Sequence, residues 1–143
     1  MHNFILKGIP LSYNNSSGTK KMNYTNALKS SFKIYNPLHT ILSGDLYAII
    51  YYFFNKNIRI DTDNLSKPVW DCLKGFLFND DKQIKIRIAG SFDLTTGDYS
   101  VIDFSGLKGK LVTDLLDAFD NEDHIVYIEC GKYKTSMLKF NIE

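Results

Sequence analysis

The sequence predicts an α+β fold, a mixed β-sheet with helices packed on it. Three observations point there. Strand-like and helix-like runs interleave along the chain. The 143 residues suit one small domain, 1–143, with a single core. The apolar fraction of 44% and the charged fraction of 23% are those of a globular protein, and aromatic residues, at 14%, mostly serve the core.

Taken in order, "FILKGI" (Phe4 to Ile9) reads as a short strand, and "PLSYNNSSGTKK" (Pro10 to Lys21) as a polar, turn-rich loop. From about Met22 to Tyr35 the spacing is helical: Tyr24, Leu28, Ser31 with Phe32, and Tyr35 share a face, and Lys29 and Lys33 stand on another. "NPLHT" breaks that helix. "GDLYAIIYYFFNKNIRID" follows as one long or bent strand, favoured by its β-branched and aromatic residues. A helix is expected over about Ser66 to Phe76, then a turn at "FNDDKQ". In "IKIRIAGSF" Ile84, Ile86 and Ile88 are expected to point one way, Lys85 and Arg87 the other. "YSVIDF" is expected as a strand, and "KLVTDLLDAFDN" as a helix with Leu111, Leu115, Ala118 and Phe119 on one face. "HIVYIEC" and "TSMLKFNI" are expected as further strands. No internal repeat, linker or low-complexity block interrupts this order.

Several function classes drop out. The longest apolar run, Leu46 to Phe54, has nine residues, against the ~20 of a membrane helix. The N-terminal stretch is too short to be a signal peptide. A cytoplasmic protein without a membrane partner is expected, with Cys72 and Cys130 as free buried thiols rather than a disulfide. His2, His39 and His124 are scattered and join no cysteine cluster, which argues against zinc. "GLKGK" (Gly106 to Lys110) lacks the spacing and the hydroxyl of a phosphate loop. No G-x-S-x-G or Cys/His pattern suggests acyl transfer. Net charge is +1 but uneven: residues 1–60 hold seven Lys/Arg against one acid, and residues 111–143 hold three against seven. The basic N-terminal part suits a polyanion; the acidic end does not.

The chemistry concentrates in "IRIDTDNLSKPVWDCL", Ile58 to Leu73. If the strand runs on, Asp61 and Asp63 share a face. Two carboxylates ~4 Å apart repel by roughly 4 kcal/mol at an effective dielectric of about 20, which solvation or a bound cation would relieve. Pro68 marks the first turn of the helix, Asn64 or Ser66 can cap it, and Lys67 is then held near the acids. Leu65, Val69, Leu73 and Phe76 form a core face, and Lys67, Asp71 and Lys74 a polar stripe. Three helical turns and a short return would bring Asp80 or Asp81 back to complete a three-carboxylate cluster. Such a cluster suits Mg²⁺, a hard ion that takes few carboxylates and keeps several waters. The same D-x-D-N at a helix start is also what a cap plus a solvated turn looks like.

"DTDNLSKPVWDCL…NDDKQI" resembles the signature of the RusA family of Holliday junction resolvases: D-x-D-N-L-x-K, often with Pro next, then D-x-L, and an acidic pair followed by Q-I/V. The match falls on Asp61, Asp63, Asn64, Leu65, Lys67, Pro68, Asp71, Leu73, Asp80, Asp81, Gln83 and Ile84. "GIPLSYNN" resembles the family's first strand and its Pro-x-Ser-x-Asn loop, so the resemblance spans about residues 4–90. It implies a small homodimeric, Mg²⁺-dependent endonuclease, often encoded by phages or prophages, that cuts four-way DNA junctions by paired nicks. It assigns Asp61, Asp63 and Asp81 as metal-binding catalytic acids and Lys67 as the lysine near the scissile phosphate. Asp80, Asp71 and Asn64 are secondary candidates, Asp71 chiefly as a support for Lys67. Contacts to the phosphates of branched DNA would come from Lys20, Lys21, Lys29, Lys33, Lys85 and Arg87.

The chain departs from the pattern at Ile60, where the family often has a basic residue, and the part from Asp103 on extends beyond it. Two rivals remain beside the nuclease. One is an inactive binding module on the same fold, its acidic helix near Lys110 to Asn121 recruiting a protein. The other is a Mg²⁺ phosphotransferase, for which no nucleotide motif is present.

Overall fold

A computed structural model describes residues 1–15, 17–56 and 58–142. Its elements run β1 (His2–Lys7), α1 (Gly18–Tyr35), β2 (Leu46–Phe54), α2 (Thr62–Leu73), β3 (Ile84–Asp93), α3 (Gly109–Asn121) and β4 (His124–Lys132). The four strands form one sheet in the order β1-β4-β2-β3. β4 lies antiparallel to both β1 and β2, whereas β2 and β3 are parallel. The first three strands therefore run the same way, and α2 is the crossover that a parallel β2–β3 pair requires. The fold is α+β, as expected.

Both faces of the sheet are covered. α1 and α2 pack on one face, where Leu28, Phe32, Leu65, Val69 and Trp70 meet Ala48, Ile50, Val126 and Ile128. α3 lies on the other, with Leu111, Leu115 and Ala118 against Ile5, Phe53, Ile125 and Tyr127. Strand β2 therefore reads as an unbroken apolar run, since neither of its faces is left to water. Cys72 and Cys130 are free and buried, and burial raises both thiols, Cys130 to about 12. Among the described residues no helix is long and apolar enough to cross a membrane.

Several element boundaries differ from expectation. β1 stops at Lys7, and Gly8, at φ 137, turns the chain. α1 begins four residues early, at Gly18, because its first turn is exposed and carries no apolar signal. The long strand ends at Phe54. Its ladders to β3 and β4 reach their last partners at Asp93 and His124, and one further backbone bond, from Asn55 N–H to the Asp123 carbonyl, follows before the chain leaves the sheet. Asn57 of the expected strand lies outside the described residues. "YSVIDF" forms turns, with the Asp98 and Asp103 carboxylates accepting from Ser100 and Ser105 backbone N–H groups. Such local bonds compete with a strand ladder. "TSMLKFNI" holds a 3-10 turn at Thr135–Met137, after which Leu138, Phe140 and Ile142 stand exposed without a ladder.

The expected clean alternation of β3 is also corrected. Leu46 pairs with Ile84, but Tyr47 pairs with Ile86, so Lys85 is an extra residue in a β-bulge. Ile84 packs in the α1/α2 cluster. Beyond the bulge the parity is reversed. Ile86 and Ile88 stand opposite Tyr47 and Ile49, while Arg87 and Ala89 stand opposite the core residues Ala48 and Ile50. Arg87 thus faces the α2 side of the sheet, which a bulge of one residue suffices to arrange.

Candidate active site

The start of α2 is built by Asp61. Its backbone is extended (φ −80, ψ 163), its Oδ1 accepts from the Asn64 backbone N–H at 2.8 Å, and its Oδ2 accepts from Asn64 Nδ2 at 3.1 Å. An aspartate cap of this kind stabilises a helix by about 1 kcal/mol. The cap is therefore Asp61 rather than Asn64 or Ser66, and the helix opens at Thr62 rather than near Ser66. Two corrections follow. Asp61 and Asp63 do not share a strand face: one precedes the helix and the other sits in its first turn, where the helix dipole favours an anion. Pro68 lies inside the helix, where it supplies no N–H to the carbonyl one turn back.

Lys67 follows Asp63 by one helical turn. Its ammonium lies 3.2 Å from Asp71 Oδ2 and 5.5 Å from the centre of the Tyr13 ring. A cleft of about 430 Å³ opens beside them, lined by Thr62, Asp63, Ser66, Lys67, Arg87 and Ala89. Arg87 reaches this cleft because of the bulge at Lys85. Asp63 and Arg87 make no hydrogen bond or ion pair among the described residues. The buried hydroxyl of Ser66 likewise finds no partner among them.

The other basic residues divide by position. β1 and β2 run the same way and each is followed by a returning helix, so the starts of α1 and α2 lie at the same end of the sheet. Lys20 and Lys21, in the first turn of α1, stand at that end. Lys29 is farther along, with its ammonium 5.3 Å from the Phe76 ring centre, and Lys33 lies one turn beyond, exposed. Lys85 is engaged elsewhere: it pairs with Asp45 at 3.6 Å and donates to the Lys82 carbonyl at 2.9 Å.

The acidic pair sits at the opposite end of α2. Asp80 caps the 3-10 turn Asp81–Gln83 in a reciprocal capping box, accepting from Lys82 N–H at 2.9 Å. That bond holds its carboxyl below the usual carboxylate range. Gln83 donates to the carbonyls of Leu42 and Gly44, which ties the turn to the entry of β2. Asp81 lies 3.6 Å from Lys74, just past the C-terminal end of α2. At ~1.5 Å per residue, Asp63 and Lys74 are roughly 16 Å apart along the helix axis. The return after α2 therefore does not bring Asp81 to Asp61 and Asp63 within one chain. Among the described residues no group of three or more His, Cys, Asp or Glu side chains is placed to hold a metal ion.

Three features of the cleft escaped the sequence: Tyr13 under Lys67, the unpartnered Ser66 hydroxyl, and the direction of Arg87. Only the last had a signal, the position of Arg87 in a strand close after the motif. The bulge that aims it is invisible in "IKIRI".

Comparison with characterised proteins finds no match. Residues 19–97 match the family described as Endodeoxyribonuclease RusA. That segment is more than half of the chain and runs from α1 through β3, taking in the cleft and the acidic pair. The chain belongs to the RusA family of endodeoxyribonucleases.

Proposed function

We propose that the protein is a Mg²⁺-dependent, structure-selective endodeoxyribonuclease that resolves four-way DNA junctions by paired phosphodiester hydrolysis, acting as a homodimer. The observation that carries this reading is the carboxylate of Asp63, unpaired among the described residues, set one helical turn before Lys67 in an open cleft of a chain from an endodeoxyribonuclease family.

The donor chemistry fits the ion. Mg²⁺ is bound through one or two carboxylates plus waters and substrate phosphate oxygens. Asp63 has both oxygens available, and each Asp61 oxygen keeps a lone pair beyond its bond to Asn64. When bound, the ion would polarise the phosphodiester and activate the attacking water. The chain's own part is positioning and charge. Asp61 fixes the helix start, and with it the place of Asp63. Lys67 offsets negative charge growing on the phosphoryl oxygens as water adds and the leaving oxygen departs. Asp71 restrains the Lys67 ammonium. Lys20 and Lys21 contact flanking phosphates at the same end of the sheet, Arg87 contacts phosphate from β3, and Lys29, Lys33 and Lys85 extend the basic surface.

Asp81 is proposed to act across the homodimer, a second copy bringing its Asp81 to the Asp61 and Asp63 of the first. Mixed dimers test this. In a dimer of Asp63→Asn with Asp81→Asn chains, shared sites leave one site intact, and single-strand nicking returns. Two dead homodimers that stay dead when mixed would exclude it.

The activity itself is tested on a synthetic four-way junction, a linear duplex and a flap, with and without Mg²⁺. Symmetric nicking of the junction alone, dependent on Mg²⁺, is expected. Absence of cleavage of every substrate would instead favour an inactive binding module on this fold.

A further inference from the structure

The bulge at Lys85 has a chemical consequence for the cleft. We propose that Arg87 completes a phosphodiester-binding subsite with Lys67 and Ser66, gripping the reacting phosphate rather than a flanking one. The inference rests on the endonuclease reading above and assigns the one cation of the cleft that comes from the sheet.

Four observations support it. Arg87 lines the same cleft as Asp63 and Lys67. Its guanidinium has no protein partner among the described residues, so its donors are available to a ligand. Lys67 is held by Asp71, which leaves Arg87 as the cleft's uncommitted cation. Ser66, almost fully buried, carries a hydroxyl with no partner among the described residues. A buried hydroxyl without a partner is costly, and a ligand oxygen would remove that cost.

The register explains why Arg87 and not Lys85 takes this role. Without the extra residue, Arg87 would turn to the face shared with Tyr47 and Ile49, away from α2. With it, Arg87 stands opposite the core residue Ala48, on the α2 side of the sheet. A guanidinium there offers a planar fork that matches two phosphate oxygens, which an ammonium does not. With the divalent ion bound, the charges would balance: the phosphodiester, Asp61, Asp63 and Asp71 carry four negative charges, and Lys67, Arg87 and the ion carry four positive ones.

The test compares wild type with Arg87→Ala, Arg87→Lys and, as control on the same strand, Lys85→Ala. Single-turnover cleavage of a four-way junction is measured at saturating protein. For Arg87→Ala a loss of roughly 100-fold is expected, as for removal of one transition-state donor. Its junction affinity should stay within about threefold, because one phosphate contact among many is lost. Arg87→Lys should recover little, and added methylguanidinium should restore part of the Arg87→Ala rate. Lys85→Ala should cut like wild type. The second readout is free of cleavage: the Nε–Hε resonance of Arg87 should shift on titration with thymidylyl-thymidine, a minimal phosphodiester. Wild-type cutting with an unimpaired Arg87→Ala, or with a loss that only follows affinity, overturns the subsite. A wild type that cuts no DNA while the Arg87 resonance shifts sinks the nuclease reading, and with it the reacting phosphate, and leaves Arg87 as a phosphodiester-binding residue only. A resonance that does not move overturns the subsite whether or not wild type cuts.

Discussion

The two ends of α2 carry the same residue types and use them differently. At the N-terminal end Asp61 is bound to Asn64, but Asp63 faces a cleft with no partner among the described residues, beside Lys67 and Arg87. At the C-terminal end Asp80 is locked in a capping box and Asp81 faces Lys74. An acid that is hydrogen-bonded or paired has part of its charge and lone pairs answered within the chain. One left open beside two cations at a helix start keeps its oxygens for something else. The contrast teaches that a run of aspartates is not one site: the helix between the pairs holds them roughly 16 Å apart along its axis.

The largest expected effect lies at the open end. Asp63→Asn should lower junction cleavage by about 1000-fold or more while junction binding persists, since the proposed metal ligand is lost but no phosphate contact is. A variant that still cuts at the wild-type rate would erase the distinction between the two ends. Next, Lys67→Ala should slow single-turnover cleavage by roughly 100-fold. Asp71→Asn should cost less, about tenfold, because it frees the ammonium without removing it.

Stability changes come after these. Asp61→Ala removes a helix cap and should cost about 1 kcal/mol. In a chain of this size that is a fall in Tm of roughly 4 °C. Asp61→Asn keeps the cap, so its Tm should stay near wild type while cleavage falls. An Asp61→Asn variant that cuts like wild type would assign Asp61 no role beyond the cap.

The smallest effect belongs to Asp80. The Asp80 carboxyl is depressed by the Lys82 N–H it accepts from. A group depressed in the folded state contributes stability above its ordinary pKa, and that contribution is lost as pH falls through the folded value. The Tm gap between wild type and Asp80→Ala should therefore be present at neutral pH and close in acid. A gap that widens in acid would contradict the capping role.

Much of the fold was legible because it follows from periodicity. Leu65, Val69 and Leu73 recur at helical spacing and are buried, and Leu111, Leu115 and Ala118 do the same in α3. The strand-like reading of "YSVIDF" and "TSMLKFNI" failed for a common reason. Local composition suggests an extended chain, but a strand exists only where a neighbour offers a ladder, and neither segment has one. The Ile58–Asp61 run was misread as strand in the same way. That error moved the helix start and hid the cap, although Asp61 with Asn64 three residues later had the right spacing for it.

By itself the sequence determined which residues are capable of the chemistry: the D-x-D-N-L-x-K motif, the acidic pair, and an apolar helix that carries Lys67 next to Asp63. Those relations are local, set by 3.6 residues per turn and by side-chain type. The tertiary structure decided which of them meet. The length of α2 kept Asp81 away from Asp63, and one extra residue in β3 turned Arg87 into the cleft. Pairing register and the return path of a helix depend on neighbours distant in sequence, so no window of the chain contains them.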